Sequence, residues 1–99
     1  VAFSNFLYYN YNRINSILTK GKAMKIRMYN VGFGDCYCLR DRKKSLLVDF
    51  GTNNSRIEGR PRREIFDLII SDLSTIECKN LLLTHFHMDH LSGLLYMMK

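Results

Sequence analysis

Every histidine of the chain falls within the six-residue run His85-Phe86-His87-Met88-Asp89-His90. In extended backbone alternate side chains leave on the same side, so His85 and His87 share a face. From there both can approach one ion through imidazole nitrogens at ~2.0–2.1 Å. Asp89 and His90 follow where Leu91, Leu94, Leu95 and Met98 begin a helical spacing, and the turn into that helix aims them at a neighbouring position. Four donors placed this way suit two adjacent divalent ions. Such ions lower the pKa of bound water to ~7, and a pair ~3.5–4 Å apart holds a hydroxide while stabilising charge that develops on a substrate. The competing reading is surface or hydrogen-bonded core histidines. That suits a lone His better than three His and an Asp beside the apolar Leu81, Leu82 and Leu83, where unliganded polar groups are costly to bury.

This run alone does not close a site. Catalytic zinc commonly takes three protein ligands plus water, and the chain has no fourth histidine and no obvious distal acid to complete two ions. Cys36, Cys38 and Cys78 offer a second, structural metal reading, but Cys36-x-Cys38 lacks the Cys-x-x-Cys spacing of zinc ribbons and redox sites. An odd cysteine count also argues against a disulfide scaffold.

The elements that must position these groups belong to one core, because 99 residues fall within a single domain's size range. With 46% hydrophobic and 12% aromatic residues the chain has apolar surface enough to fold. Apolar runs are short and interrupted, far below the ~20 residues of a bilayer crossing. No basic n-region precedes a long apolar h-region, so the expected compartment is the cytoplasm, with no membrane partner. Net charge is +6, and Arg40, Arg42, Lys43, Lys44, Arg56, Arg60, Arg62 and Arg63 face only Asp41, Asp49 and Glu58 over residues 40–63. These are solvated loops or an attractor for a phosphate-bearing substrate or nucleic acid.

Met24, Ile26 and Met28 alternate with Lys25, Arg27 and Tyr29, which predicts a half-buried strand and a domain start near Met24. A tight turn through Gly32 and Gly34 follows. Residues 36–39 and 45–50 read as two more strands around a charged hairpin loop at 41–44, making an antiparallel meander. Residues 52–63 read as a polar loop whose Pro61 suits the first turn of a helix over 64–78. Asp35 reads as a structural turn residue and Asp49 as a strand-ending acid. Residues 80–84 carry three leucines without alternation, as in a short strand buried on both faces. The apolar spacing in residues 1–23 fits an amphipathic helix, weakened by several Asn. The fold class is α/β (α+β): strands, a crossover helix, and a strand whose end carries polar ligands.

Thr84-His85-Phe86-His87-Met88-Asp89-His90-Leu91-Ser92-Gly93 resembles the His-x-His-x-Asp-His signature of the metallo-β-lactamase superfamily. Val31-Gly32-Phe33-Gly34-Asp35-Cys36 resembles the Gly-rich turn of its competence-protein hydrolase branch, and Leu47-Val48-Asp49-Phe50-Gly51 its strand-terminal Asp motif. The resemblance covers residues 24–99 and implies the amino-terminal half of an αβ/βα sandwich, with residues 1–23 as an extension. It also implies a metal-dependent hydrolase that uses a metal-bound hydroxide on two zinc ions, with Mn²⁺ or Fe as substitutes. His85 and His87 would hold the first ion, Asp89 and His90 the second, with Asp89 essential to catalysis and Asp49 orienting the site. The family's later ligands lie beyond this motif, so the expectation is a truncated hydrolase completed by a missing carboxy-terminal half or a complementing chain. Such a half-sandwich exposes sheet edges and apolar helix faces. Among small-molecule substrates, phosphodiesters are favoured over lactams by the basic balance and the competence-like Gly turn. The alternative is a non-catalytic metal-binding or remnant fragment of such a hydrolase.

Overall fold

A computed structural model of the chain describes residues 8–10 and 24–99. Strand β1 is Tyr8–Asn10, β2 Met24–Tyr29, β3 Cys36–Asp41 and β4 Lys44–Phe50. The short strands β5 (Arg56–Ile57) and β6 (Arg60–Pro61) precede helix α1 (Arg62–Thr75), and β7 (Leu81–Leu82) precedes helix α2 (Met88–Met97). The main sheet has the order β1-β2-β3-β4-β7, antiparallel except for β7, which runs parallel to β4 after the α1 crossover. The meander therefore stands, and the fold is the mixed α/β arrangement expected of the amino-terminal part of a metallo-β-lactamase-type sandwich.

Inward residues of the strands meet the apolar stripe of α1. Tyr29, Cys36, Cys38, Leu47 and Phe50 pack with Ile65, Phe66, Ile69 and Leu73. Phe50 and Phe66 meet edge to face with ring centroids 5.2 Å apart, and Tyr96 of α2 lies against Phe66 at 5.5 Å. Such contacts add about 1 kcal/mol each beyond area burial. They bind the helix that carries Asp89 and His90 to the strand that carries Asp49.

Several sequence expectations need correction. Tyr8–Asn10 is a strand that pairs with β2, with Tyr8 opposite Tyr29, so at these residues the expected amphipathic helix is absent. The remainder of that expected helix lies outside the described residues. The polar loop of residues 52–63 contains the β5–β6 hairpin, whose turn places Glu58 at φ 52° and Gly59 at φ 80°. Pro61 is the residue before α1 rather than within its first turn. Strand β7 is not buried on both faces: Leu81 is 40% and Leu82 49% exposed. It is the last strand of the sheet, and among the described residues nothing pairs with its outer edge.

Helix α1 stops three residues before the expected end because the chain turns left-handed there. The Cys78 N–H donates to the Leu73 carbonyl at 3.1 Å and the Glu77 N–H to Ser74 at 3.2 Å, with Glu77 at φ 53°. This is a Schellman closure with Glu where Gly fits best. Glu77→Gly is therefore expected to raise unfolding free energy by about 1 kcal/mol in urea denaturation. A loss of stability would mean the Glu77 side chain contributes more than its backbone strain costs.

The buried Tyr29 hydroxyl donates to Asp72 Oδ2 at 2.5 Å, and Arg27 Nη1 sits 2.9 Å from the same oxygen. Burial, then the bond to Asp72, holds the phenol above its ordinary value of 10.0. Burial likewise raises Cys36 well above 9.0 and lifts Cys38 to about 12. The unfolded chain therefore loses these protons at lower pH than the folded one. Stability is full below the ordinary values and declines as pH rises past them, by up to ~1.4 kcal/mol per pH unit and group. Tyr29→Phe should lessen the slope above pH 10 by about that amount in denaturation curves taken from neutral to alkaline pH. An unchanged slope would refute the assignment.

Candidate metal centre

Asp49 reaches the site through a bulge. Cys36 pairs with Phe50 and Tyr37 with Val48, so Asp49 is the extra residue of β4, held at φ 58°. A bulge residue in this conformation is ordinarily Gly, and Asp is among the side chains that tolerate it. The strand's in-and-out alternation breaks here: Leu47, Val48, Asp49 and Phe50 are all buried. Asp49, 2% exposed, turns its carboxylate towards the segment that follows β7.

There the carboxylate is fully engaged. Oδ1 accepts the Thr84 N–H at 2.8 Å, while Oδ2 accepts the Thr84 hydroxyl at 2.6 Å and lies 2.9 Å from His90 Nδ1. Burial works to raise the Asp49 carboxyl, but these bonds from Thr84 and His90 outweigh it and leave the group below its ordinary 3.8. His90 is held above its ordinary 6.5, first by the bond to Asp49, against partial desolvation and with help from Asp89 and Asp35.

The same bonds select tautomers. His90 donates Nδ1–H to a carboxylate, which leaves Nε2 for other partners. Thr84 spends its single hydroxyl proton on Asp49, so its oxygen is an acceptor for His85 Nδ1, 2.9 Å away. His85 therefore also carries its proton on Nδ1 and presents Nε2. One buried carboxylate sets the tautomer of two rings, directly for His90 and through Thr84 for His85.

Tight backbone approaches bring the loops together. Asp35 donates its N–H to the Asp89 carbonyl at 3.1 Å, and Gly51 donates to the Asp35 carbonyl at 3.1 Å. The Thr52 N–H donates to Ser92 Oγ at 2.8 Å, and that hydroxyl returns a bond to the Thr52 carbonyl at 3.0 Å. A Cβ on Gly51 would lie 2.6 Å from both the Leu91 nitrogen and the Met88 oxygen, so glycine is required for α2 to dock on the end of β4.

Of the expected ligands, His85 and His87 are exposed, and Asp89 and His90 are half-buried at the start of α2. The ring centroids of His85 and His90 are 4.8 Å apart and those of His85 and His87 6.1 Å. Asp89 Oδ2 lies 3.5 Å from His90 Nε2, on the side of the ring away from Asp49. Asp35, read from sequence as a turn residue, brings Oδ2 to 3.3 Å from His90 Nδ1. Among the described residues, Asp35, Asp49 and His90 form the one group of three whose donor atoms lie within 4.8 Å of one another, and the three thiols form none. The Asp49 oxygens in that group are already occupied by Thr84 and His90, so its carboxylate is better placed to orient ligands than to be one. Among the described residues His85, His87 and Asp89 do not join that group, although imidazole and carboxylate side chains are donor types that suit borderline divalent metals such as zinc. Only the Gly-x-Gly-Asp order around Asp35, a turn aimed at one place, hinted at its position.

Among the described residues no helix is long and apolar enough to cross a membrane. Residues 29–99 match the model of a family described as the Metallo-beta-lactamase superfamily. No curated protein and no solved structure matches the chain.

Proposed function

Because the chain belongs to the metallo-beta-lactamase superfamily, we propose that residues 84–90 are the donor segment of a dinuclear zinc hydrolase site acting on phosphodiesters. The observation that carries this reading is the bond pattern around Asp49, which engages Nδ1 of His90 directly and Nδ1 of His85 through Thr84, so that Nε2 of each ring is the nitrogen left for a metal, with Asp89 beside that of His90. His85 and His87 would hold one ion, and Asp89 and His90 a second. Ions bound there supply Lewis acidity and acidify water. The chain's own part is to fix the rings, keep their donor nitrogens free and hold Asp89 at the start of α2.

An anionic substrate is supported by a hollow of about 190 Å³ that reaches the segment at Met88 and is lined by Arg62, Arg63 and Lys99 together with Phe66, Leu95 and Tyr96. The three cations in its lining favour phosphate over neutral amide substrates. Nucleic acid is the polymeric form of that chemistry.

Four donors from one six-residue run leave coordination positions open. Among the described residues the outer edge of β7 has no paired strand, and this edge and its exposed leucines adjoin the same segment. We therefore extend the reading to a domain that is completed by a further segment or a complementing chain, which supplies the remaining ligands. The test compares this chain with a longer product of the same gene. The chain should retain Zn²⁺ weakly after dialysis and show no turnover. The longer product should cleave bis(p-nitrophenyl) phosphate with Zn²⁺ or Mn²⁺, and Asp89→Ala should abolish that cleavage. Chelator-sensitive turnover by the 99-residue chain would overturn the completion. Cleavage that survives Asp89→Ala would overturn the site.

A further inference from the structure

Away from the metal segment, Cys38 Sγ of β3 and Cys78 Sγ lie 3.8 Å apart, although the residues are 40 positions apart in sequence. All three cysteines are free thiols. The left-handed turn at Glu77 that ends α1 directs Cys78 back onto the sheet, where it packs beside the core. Cys38 is 1% exposed. Cys78 is half-buried and lines an apolar groove of about 280 Å³ with Leu47, Ile70, Leu73 and Leu81. One sulfur is reachable by a small reagent and the other sits directly behind it.

We propose that Cys38 and Cys78 form a dithiol–disulfide site whose co-substrate is a low-molecular-weight disulfide. The sulfur of Cys78 attacks one sulfur of the reagent. The reagent's S–S bond breaks, one thiolate leaves with the electron pair, and it takes up the proton that Cys78 released. Cys38 then attacks Sγ of Cys78, displacing the second thiolate, which takes up the Cys38 proton. The two protein thiols are oxidised to one bridge, and the reagent disulfide is reduced to two thiols. Closing to bonding distance needs the sulfurs to approach by roughly 2 Å, within reach of side-chain rotation and small shifts of the α1–β7 turn. Burial, then the neighbouring Cys78, keeps Cys38 protonated up to about 12. The second step is therefore the slow one, on a scale of minutes to hours. Cys36, on the same strand and inside the core, stands outside the exchange.

The experiment incubates the reduced, chelator-treated chain with glutathione disulfide under native conditions, alkylates the remaining thiols and maps peptides without reduction. The expected product is a Cys38–Cys78 linked peptide with Cys36 alkylated. Thermal unfolding of that product should shift upward by on the order of 10 °C, since the bridge closes a long loop in the unfolded chain. A Cys36→Ser chain should give the same bridge. Recovery of Cys78 only as a mixed disulfide with glutathione, a bridge that includes Cys36, or three alkylated cysteines would each overturn the proposal.

Discussion

An Asp49→Ala chain is expected to lose about 2 to 3 kcal/mol of folding stability, because it removes the acceptor of three part-buried hydrogen bonds. The Thr84 N–H and the His90 ring lose their acceptor, and the new residue remains at φ 58° without the local bonding that suits Asp there. Asp49→Asn separates structure from ligand control. Its side chain keeps the shape, tolerates the bulge and still accepts from the Thr84 N–H, so the stability loss should be roughly 1–2 kcal/mol. The amide, however, presents N–H where Oδ2 stood. His90 Nδ1 must then accept a hydrogen bond rather than donate one, and the Thr84 hydroxyl can turn away from its former acceptor. Both rings become free to protonate Nε2, and zinc affinity should fall by 10- to 100-fold. Urea denaturation and calorimetric zinc titration of the two variants check this. An Asp49→Asn chain that binds zinc like the parent would show that the carboxylate does not set the rings.

Gly51→Ala is the second large effect. The methyl would meet backbone atoms of the first turn of α2, the Leu91 nitrogen and Met88 oxygen at 2.6 Å, and backbone cannot swing aside as a side chain can. Either the helix shifts, which carries Asp89 and His90 away from Asp49, or the chain bears the overlap. A loss of about 3 kcal/mol is expected, together with weakened zinc binding. Gly59→Ala provides the contrast. Nothing lies within 4 Å of its Cβ, and only its φ of 80° opposes a side chain, so about 1 kcal/mol and unchanged zinc binding are expected. Equal effects at the two glycines in the same denaturation and titration measurements would remove the argument that Gly51 seats the helix.

The meander, α1 and the histidine cluster are legible in sequence because each is specified locally. Met24 to Tyr29 alternate, Ile65, Ile69 and Leu73 recur at helical spacing, and the histidines sit within one short run. What sequence does not show depends on contacts between distant segments. Asp35 looks like a turn residue until the Gly34 and Gly51 loops fold it against Asp89 and His90. The bulge leaves a faint trace, since the four consecutive residues from Leu47 to Phe50, followed by Gly51, do not alternate, but its tautomer control needs Thr84 in place. The β5–β6 hairpin has two-residue strands, too short for a period to register. Leu81 and Leu82 read as buried because their composition suits a central strand. Their exposure follows from what pairs with β7, and no local pattern encodes that. The nearness of Cys38 and Cys78 likewise follows from the α1 crossover and its left-handed end.

Which imidazole atoms face a metal is read directly by long-range ¹H–¹⁵N correlation spectra of the histidine rings during zinc titration. Before zinc, His85 and His90 should each show a protonated Nδ1. On addition, Nε2 of both rings should shift towards the metal-bound range with Nδ1–H of His90 retained, and the His87 ring should respond in parallel. Loss of the His90 Nδ1 proton with Nε2 unchanged would put the ion between Asp35 and Asp49 instead. Rings that ignore zinc at concentrations saturating any other change in the chain would contradict the metal assignment altogether.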